Sequence, residues 1–414
     1  MAQSSQLRFD NRVCIVTGAG QGIGREYSIF LASRGAKVLV NDLGRTKSGE
    51  KTADLVVAEI KKNGGVAVAN HDSVDEGDKI VKQCMDAFGK IDVIINNAGI
   101  LRDVSFAKMK ESDWDLVHKV HLKGAFAVTR AAWPHFRAQG YGRIVNTSSP
   151  AGVYGNFGQV NYSAAKLGLH GFTRALYKEG DAKNIKVNTI CPLAATAMTE
   201  TVMSKEVLSA LDAKAIVPLV GYLVHESCEA NGKLYELGAG WVAELRWQSS
   251  EGHMFDLPFT AEDVAKNFSK IGDFSKPEYR ETSNDSLPKM IQNYERCGGK
   301  LQGTGTSAEK LKSEMIFDML KVYLSQGLGT DAVKKCNATY NFNITSKKGG
   351  PIKGKWAIDL KSGNGAVFTK QFDNADATFT LDDEEFYNEC MRKSNPQMAF
   401  LKVIFCFIKK NREE

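Results

Sequence analysis

The sequence predicts an α/β protein, with a doubly wound parallel sheet in residues 1–250 of a 414-residue chain and a small α+β unit after it. Three observations carry this expectation. From Arg12 to about Gly240, short apolar runs alternate with longer stretches of helical period. The alternation dissolves after Trp247, and beyond Thr306 the apolar period changes to two.

Taken in order, the expected strands are Val13-Cys14-Ile15-Val16, Val38-Leu39-Val40, Ala67-Val68-Ala69, Val93-Ile94-Ile95, Ile144-Val145, Lys186 to Ile190 and Leu234 to Leu237. Between them, stretches such as Ala53 to Ile60 and Ile80 to Phe88 carry apolar residues at three- and four-residue spacing. Strands this uniformly apolar are covered on both faces, and helical crossovers of this length are right-handed. Residues 251–305 contain Pro258, Pro277, Pro288 and the polar cluster Thr282 to Ser286. They read as a linker holding one helix, Ala261 to Ile271. In residues 306–414, Thr306 with Glu309 forms a capping box, Leu311, Met315, Met319 and Val322 follow at helical spacing, and Gly327 is placed to end the helix. Ala338-Tyr340-Phe342-Ile344, Trp356-Ile358-Leu360 and Ala377-Phe379-Leu381 then alternate as strands, and Asp382 with Glu385 caps a last short helix.

Composition narrows the function classes. With 43% apolar and 25% charged residues the chain is of globular type. Fifty-four basic against 48 acidic residues give a net charge of +6, too balanced to argue for a nucleic-acid partner. The eight cysteines form no Cys-x-x-Cys pair, so neither a metal site nor a disulfide framework is expected. No run approaches the ~20 apolar residues of a membrane span.

Directly after the first strand comes Thr17-Gly18-Ala19-Gly20-Gln21-Gly22-Ile23-Gly24, opening a helix. A glycine turn lets backbone approach a pyrophosphate, and the helix N-terminus offers free amides and a favourable dipole. Asp42 ends the second strand, eighteen positions after Gly24. A carboxylate there accepts hydrogen bonds from ribose hydroxyls and repels the extra phosphate of NADP. The pattern is of the Rossmann type, with NAD as the expected cofactor.

Further motifs resemble the short-chain dehydrogenase/reductase family. Asn96-Asn97-Ala98-Gly99 resembles its signature beside the cofactor, and Tyr162-Ser163-Ala164-Ala165-Lys166 resembles its active-site motif. Ser149 stands thirteen residues before the tyrosine, as the family requires. The resemblance covers nearly all of residues 10–245 and implies that Asp72 and Ser73 flank the adenine. It also implies that Asn96 touches the adenosine ribose, and that Ala98, Gly99 and Pro192 border the cofactor. Tyr162 and Lys166 are one helical turn apart and share a face. An ammonium near a phenol favours the phenolate, so Tyr162 can exchange a proton with a substrate hydroxyl while Ser149 stabilises the reacting oxygen. Lys166 would also hold the nicotinamide ribose. The family's fourth catalytic residue is an asparagine where this chain has His121, which is either catalytic or a satisfied structural histidine. The family's Pro-Gly turn is here Pro192-Leu193.

Longer runs, among them Asn41-Asp42-Leu43-Gly44, Tyr154-Gly155-Asn156-Phe157-Gly158-Gln159 and Gly238-Ala239-Gly240-Trp241, are similar to the type 2 peroxisomal multifunctional enzymes. That resemblance implies a (3R)-hydroxyacyl-CoA dehydrogenase of fatty-acid β-oxidation, a homodimer built on the dehydrogenase domain, and side activity on 17β-hydroxysteroids. Lys355-Trp356-Ala357-Ile358-Asp359-Leu360-Lys361-Ser362-Gly363 makes residues 306–402 similar to sterol carrier protein 2, implying lipid at the C-terminal domain. Residues 250–306 are too few for the hydratase domain of some relatives. After Phe400 the chain departs from the carrier family. Val403 to Ile408 stands where a further strand and helix belong, so this domain is expected to be incomplete, by truncation or with a substitute strand. The resemblance implies a peroxisome, although Arg412-Glu413-Glu414 is not a peroxisomal signal; without one, the cytoplasm is the alternative. Competing functions are a steroid or other secondary-alcohol dehydrogenase, and a lipid carrier on a dehydrogenase scaffold.

Overall fold

A computed structural model describes residues 6–195, 208, 210–299, 311–325, 333–334 and 336–391. The chain divides into two compact units, Met1–Cys297 and Gly298–Glu414. In the first, the apolar runs become β1 (Val13–Thr17), β2 (Lys37–Asn41), β3 (Val66–Asn70), β4 (Val93–Asn96), β5 (Gly142–Thr147), β6 (Ile185–Pro192) and β7 (Leu234–Gly238). All seven are parallel, in the order β3-β2-β1-β4-β5-β6-β7. One face is covered by α1 (Gly22–Ser33), α2 (Thr52–Lys62) and α8 (Val217–Leu223), through Leu31, Val56, Ile60 and Val220. The other is covered by α3 (Gly77–Phe88) and α5 (Gly124–Gln139), through Ile80, Val128 and Phe136. Strands clad on both sides need apolar residues at every position, which explains their unbroken runs.

The register sets Thr17 beside Asn41, Val16 beside Ile95, and Asn96 beside Asn146. The turns leaving β1, β2, β4 and β5 therefore emerge at one edge. Strand order reverses about β1, which opens a crevice at those carboxyl ends. Between β4 and β5 the chain forms α4 (Glu111–His118), a π-turn over Lys119–Lys123, and then α5. After β5 come α6 (Pro150–Tyr154) and the long α7 (Val160–Gly180).

Some elements are absent from the sequence reading. An eighth strand, β8 (Trp241–Leu245), pairs antiparallel with β7 at the sheet edge. Trp241, Val242 and Glu244 are exposed, so no apolar alternation marks it. Its turn is Ala239 and Gly240, both left-handed (φ 49° and 84°), the geometry of a two-residue hairpin. Within 251–297, α9 (Ala261–Ile271) opens on a reciprocal capping box between Thr260 and Asp263. A second helix, α10 (Leu287–Arg296), follows it. Pro288 sits in its first turn, where a missing N–H costs nothing, so the proline read as a linker residue is a helix starter.

The second unit is a four-stranded sheet of β9 (Thr339–Thr345), β10 (Ile352–Asp359), β11 (Ala366–Phe368) and β12 (Ala377–Asp382), ordered β11-β10-β9-β12. The alternating residues Tyr340, Phe342, Ile344 and Phe379 turn one face toward α11 (Lys312–Ser325) and α12 (Asp383–Met391). Phe317 of α11 stacks on Trp356 at 4.5 Å and 7°. Asp382 accepts from the Glu385 N–H at 3.0 Å, capping α12. The N-terminal amides of α11, at Lys312 and Ser313, each donate to the Asp383 carboxylate at 2.8 Å. The capping box at Thr306 and Glu309, the stop at Gly327 and the run Val403 to Ile408 lie outside the described residues.

Candidate active site

The crevice is a cavity of about 560 Å³, a volume suited to a small-molecule ligand. Gly18, Gln21, Gly22, Ile23, Asp42, Asp72, Ser73, Ala98, Gly99, His121, Ser149, Tyr162, Lys166 and Pro192 all line it. Gly24 and Asn96 do not. Gly24 is packed under the turn, where a Cβ would fall 2.3 Å from the Gly18 carbonyl oxygen. Asn96 is buried with its amide donating to Thr129 Oγ1 (3.0 Å) and Asn146 Oδ1 (2.9 Å), which braces the sheet. Its neighbour Asn97 is on the cavity wall instead. The Asn97 amide group donates to the Thr17 and Gly18 carbonyls, both at 3.1 Å, fastening the turn after β4 to the glycine turn. Both asparagines stand in one motif, but Asn96 is the last residue of β4 while Asn97 begins the turn that faces the crevice. Leu193 of the altered Pro-Gly turn lines the cavity too, as do Thr147, Ser148 and Ala194, which no motif marks.

The glycine turn fits a dinucleotide. Gly18 has φ +60°, and a Cβ there would meet Ala98 Cα at 2.7 Å. The start of α1 has no capping side chain and no acidic residue in its first turn, so its amides and dipole remain available to an anion. Both Asp42 oxygens are oriented by backbone, accepting from the Gly20 N–H at 2.7 Å and the Gly44 N–H at 2.6 Å. Asp72 is fixed by the Asn70 amide, which donates to its carboxylate at 2.7 Å.

Ser149 caps α6, accepting from the Ala151 N–H at 3.2 Å, and lines the same cavity as Tyr162. The Lys166 ammonium donates to the Thr147 carbonyl at 2.6 Å and lies 5.5 Å from the centre of the Tyr162 ring. Burial dominates both groups. It pushes the phenol up to about 12 against a smaller lowering by the nearby Ser149 hydroxyl, and pulls the lysine down to about 7. The expected lowering of the phenol by its neighbouring ammonium is therefore not produced by these residues alone. His121 comes from the π-turn and is 2% exposed. Burial, reinforced by Lys166, holds it well below the ordinary histidine value, so the ring is neutral. Among the described residues no cluster of side chains could hold a metal ion, and no helix is long and apolar enough to cross a membrane.

A hydroxyl pair over a buried lysine, beside a glycine-rich dinucleotide turn, defines an oxidoreductase of the short-chain dehydrogenase class, which works with a nicotinamide cofactor. The family model for short chain dehydrogenases matches residues 12–210, and that for the SCP-2 sterol transfer family matches residues 320–403. The chain is 44% identical to peroxisomal multifunctional enzyme A of Dictyostelium discoideum, over 96% of this chain and 94% of that one. It is 52% identical to the mouse peroxisomal multifunctional enzyme type 2 over 70% of its own length, but spans only 40% of that relative. The solved full-length peroxisomal multifunctional enzyme type 2 of Drosophila melanogaster superposes with a TM-score of 0.62 at 35% identity, covering 85% of this chain and 67% of that one. The chain belongs to the peroxisomal multifunctional enzyme family of short-chain dehydrogenases, with an SCP-2 unit after the dehydrogenase.

Proposed function

We propose that the chain oxidises (3R)-3-hydroxyacyl-CoA to 3-ketoacyl-CoA, with NAD as acceptor, in peroxisomal β-oxidation. The observation that carries this reading is that Ser149, Tyr162 and Lys166 line one cavity with the glycine turn. Gly18, Gln21, Gly22 and Ile23 would hold the pyrophosphate, Asp42 the adenosine ribose, and Asp72 and Ser73 would flank the adenine. Oxidised nicotinamide, when bound, supplies the hydride-accepting ring and a positive charge. With the cofactor bound, the Tyr162 phenol would ionise despite its burial, and the phenolate would take the proton of the substrate hydroxyl. Ser149 Oγ donates to the same substrate oxygen, and its cap bond to Ala151 fixes where that oxygen sits. Lys166 has two donors beyond its Thr147 bond for the nicotinamide ribose.

The peroxisomal relatives support the compartment and the fatty-acyl substrate class. The SCP-2 unit supports lipid as the ligand of residues 306–414. A second copy of the chain would pack on an apolar groove along α4, the π-turn, α5 and α7, lined by Leu116, Leu122, Phe126 and Phe172. NADH formation compared across 3R-hydroxyacyl-CoA, 3S-hydroxyacyl-CoA and 17β-hydroxysteroids tests the reaction. The 3R thioester should be fastest, and a faster rate on either alternative rejects the substrate assignment. Tyr162→Phe should lower turnover by about 100-fold or more while NADH still binds, since general acid–base catalysis contributes at least that much. A variant keeping about a tenth of wild-type turnover rejects the assignment of Tyr162.

A further inference from the structure

His121 holds a backbone segment as well as lining the cavity. Its Nε2 lies 3.0 Å from the Ile100 amide nitrogen and 2.8 Å from the Ile100 carbonyl oxygen. A neutral imidazole can therefore accept from the N–H or donate to the C=O by changing tautomer, without moving. Its other nitrogen, Nδ1, is buried with no partner. The ring is pressed from two sides. A Cβ on Gly99 would fall 2.5 Å from its Cε1, and the Tyr162 ring meets it at 90° with centroids 5.2 Å apart. The residue is delivered by the π-turn over Lys119–Lys123, a wider turn that breaks the regular register between α4 and α5. A buried nitrogen left without a partner is destabilising. A nitrogen placed between two groups of one peptide backbone suggests that holding that backbone is the gain.

We propose that His121 is a positioning residue: it pins Gly99 and Ile100 to the π-turn and sets that stretch of cavity wall against the Tyr162 ring. This rests on the reading of Tyr162 as the proton-exchanging group. The ring does not itself transfer the proton. Its work is to keep the wall carrying Ala98 and Gly99 at a fixed distance from the phenol, because an ångström of misplacement at a reacting centre is costly.

Two substitutions in the full chain separate the alternatives. His121→Phe keeps an aromatic ring against Tyr162 and removes both bonds to Ile100. His121→Gln removes the ring, yet its amide reaches as far as Nε2 and offers an acceptor and a donor to the same two groups. Three readouts apply: exchange of the Ile100 amide hydrogen, NADH binding by fluorescence, and kcat against KM for 3R-hydroxyacyl-CoA. His121→Phe should speed Ile100 exchange and lower kcat, each by about 10-fold or more, with the substrate KM little changed. His121→Gln should restore both to within about threefold of wild type. A His121→Phe protein with wild-type exchange and kcat would show that the bond to Ile100 does nothing. A His121→Gln protein that protects Ile100 but turns over as slowly as His121→Phe would make the imidazole itself a proton carrier. Both outcomes overturn the proposal. If His121→Phe does not fold, an unprotected Ile100 in folded His121→Gln overturns it equally. Should the wild type not turn over the acyl-CoA at all, the substrate assignment fails while Ile100 exchange still decides the role of His121.

Discussion

Burial draws the Lys166 ammonium from its ordinary 10.5 down to about 7, while its nitrogen keeps the 2.6 Å bond to Thr147. Between those two values the unfolded chain binds more protons than the folded one, so this residue makes stability rise with pH across that window. Below about pH 7 the penalty of the buried charge is felt in full. Lys166→Met should therefore raise Tm at pH 6, with the gain shrinking by pH 10, while turnover is lost. Thermal melts of both proteins at the two pH values check this, and a gain that does not change with pH would contradict the assigned cause. Asp42 carries a different constraint. Both its oxygens already accept backbone N–H groups, so Asp42→Asn keeps one acceptor oxygen and removes the charge. Kinetics with both cofactors should show NAD weakened and NADP relatively favoured. An unmodified protein that prefers NADP would refute the role given to Asp42. At this scale the sequence is highly legible where chemistry fixes spacing, as for Tyr162 and Lys166. It is not legible where partners are remote, since nothing in the chain announces that His121 bonds Ile100, twenty-one positions away. Nor does it announce that burial raises the Tyr162 phenol.

Among the elements, the parallel strands and the helices Ala53 to Ile60 and Ile80 to Phe88 can be read from the sequence because burial on a fixed period writes itself into residue type. β8 and α10 escape that reading for opposite reasons. β8 is an edge strand with little to bury, and α10 buries no residue while opening on a proline. A clasp between residues of separate elements is equally silent in the sequence: Arg174 of α7 donates to the Glu281 carbonyl at 2.6 Å, and Arg246 lies 3.6 Å over the Tyr279 ring. The groove on α4, α5 and α7 exposes Leu116 and Phe126 although both lie on amphipathic helices. Apolar residues left open on a groove wall mark a contact surface. Phe126→Asp should shift the proposed dimer toward monomer in sedimentation at micromolar concentration with its helix content intact. An unchanged dimer would place the contact elsewhere.

At the scale of the whole molecule, two separate apolar cores underlie the two compact units, one pair of clusters on the Rossmann sheet and one on the four-stranded sheet. A chain of residues 1–297 should therefore fold and retain the dehydrogenase rate per site within about twofold, because a domain with its own core is autonomous. Calorimetry of the full chain should resolve two transitions, of which one persists in the shorter chain; loss of activity on shortening would show that the units depend on each other. The second unit has its own consequence in Asp383, whose carboxylate takes the first amides of α11 from 71 positions further along the chain. A 14-residue helix is marginal alone, and its first two amides here are taken by Asp383, which follows β12. During synthesis, α11 leaves the ribosome long before the residue that finishes it. The first turn of α11 therefore waits, with its apolar stripe uncovered, until Asp383 has been translated.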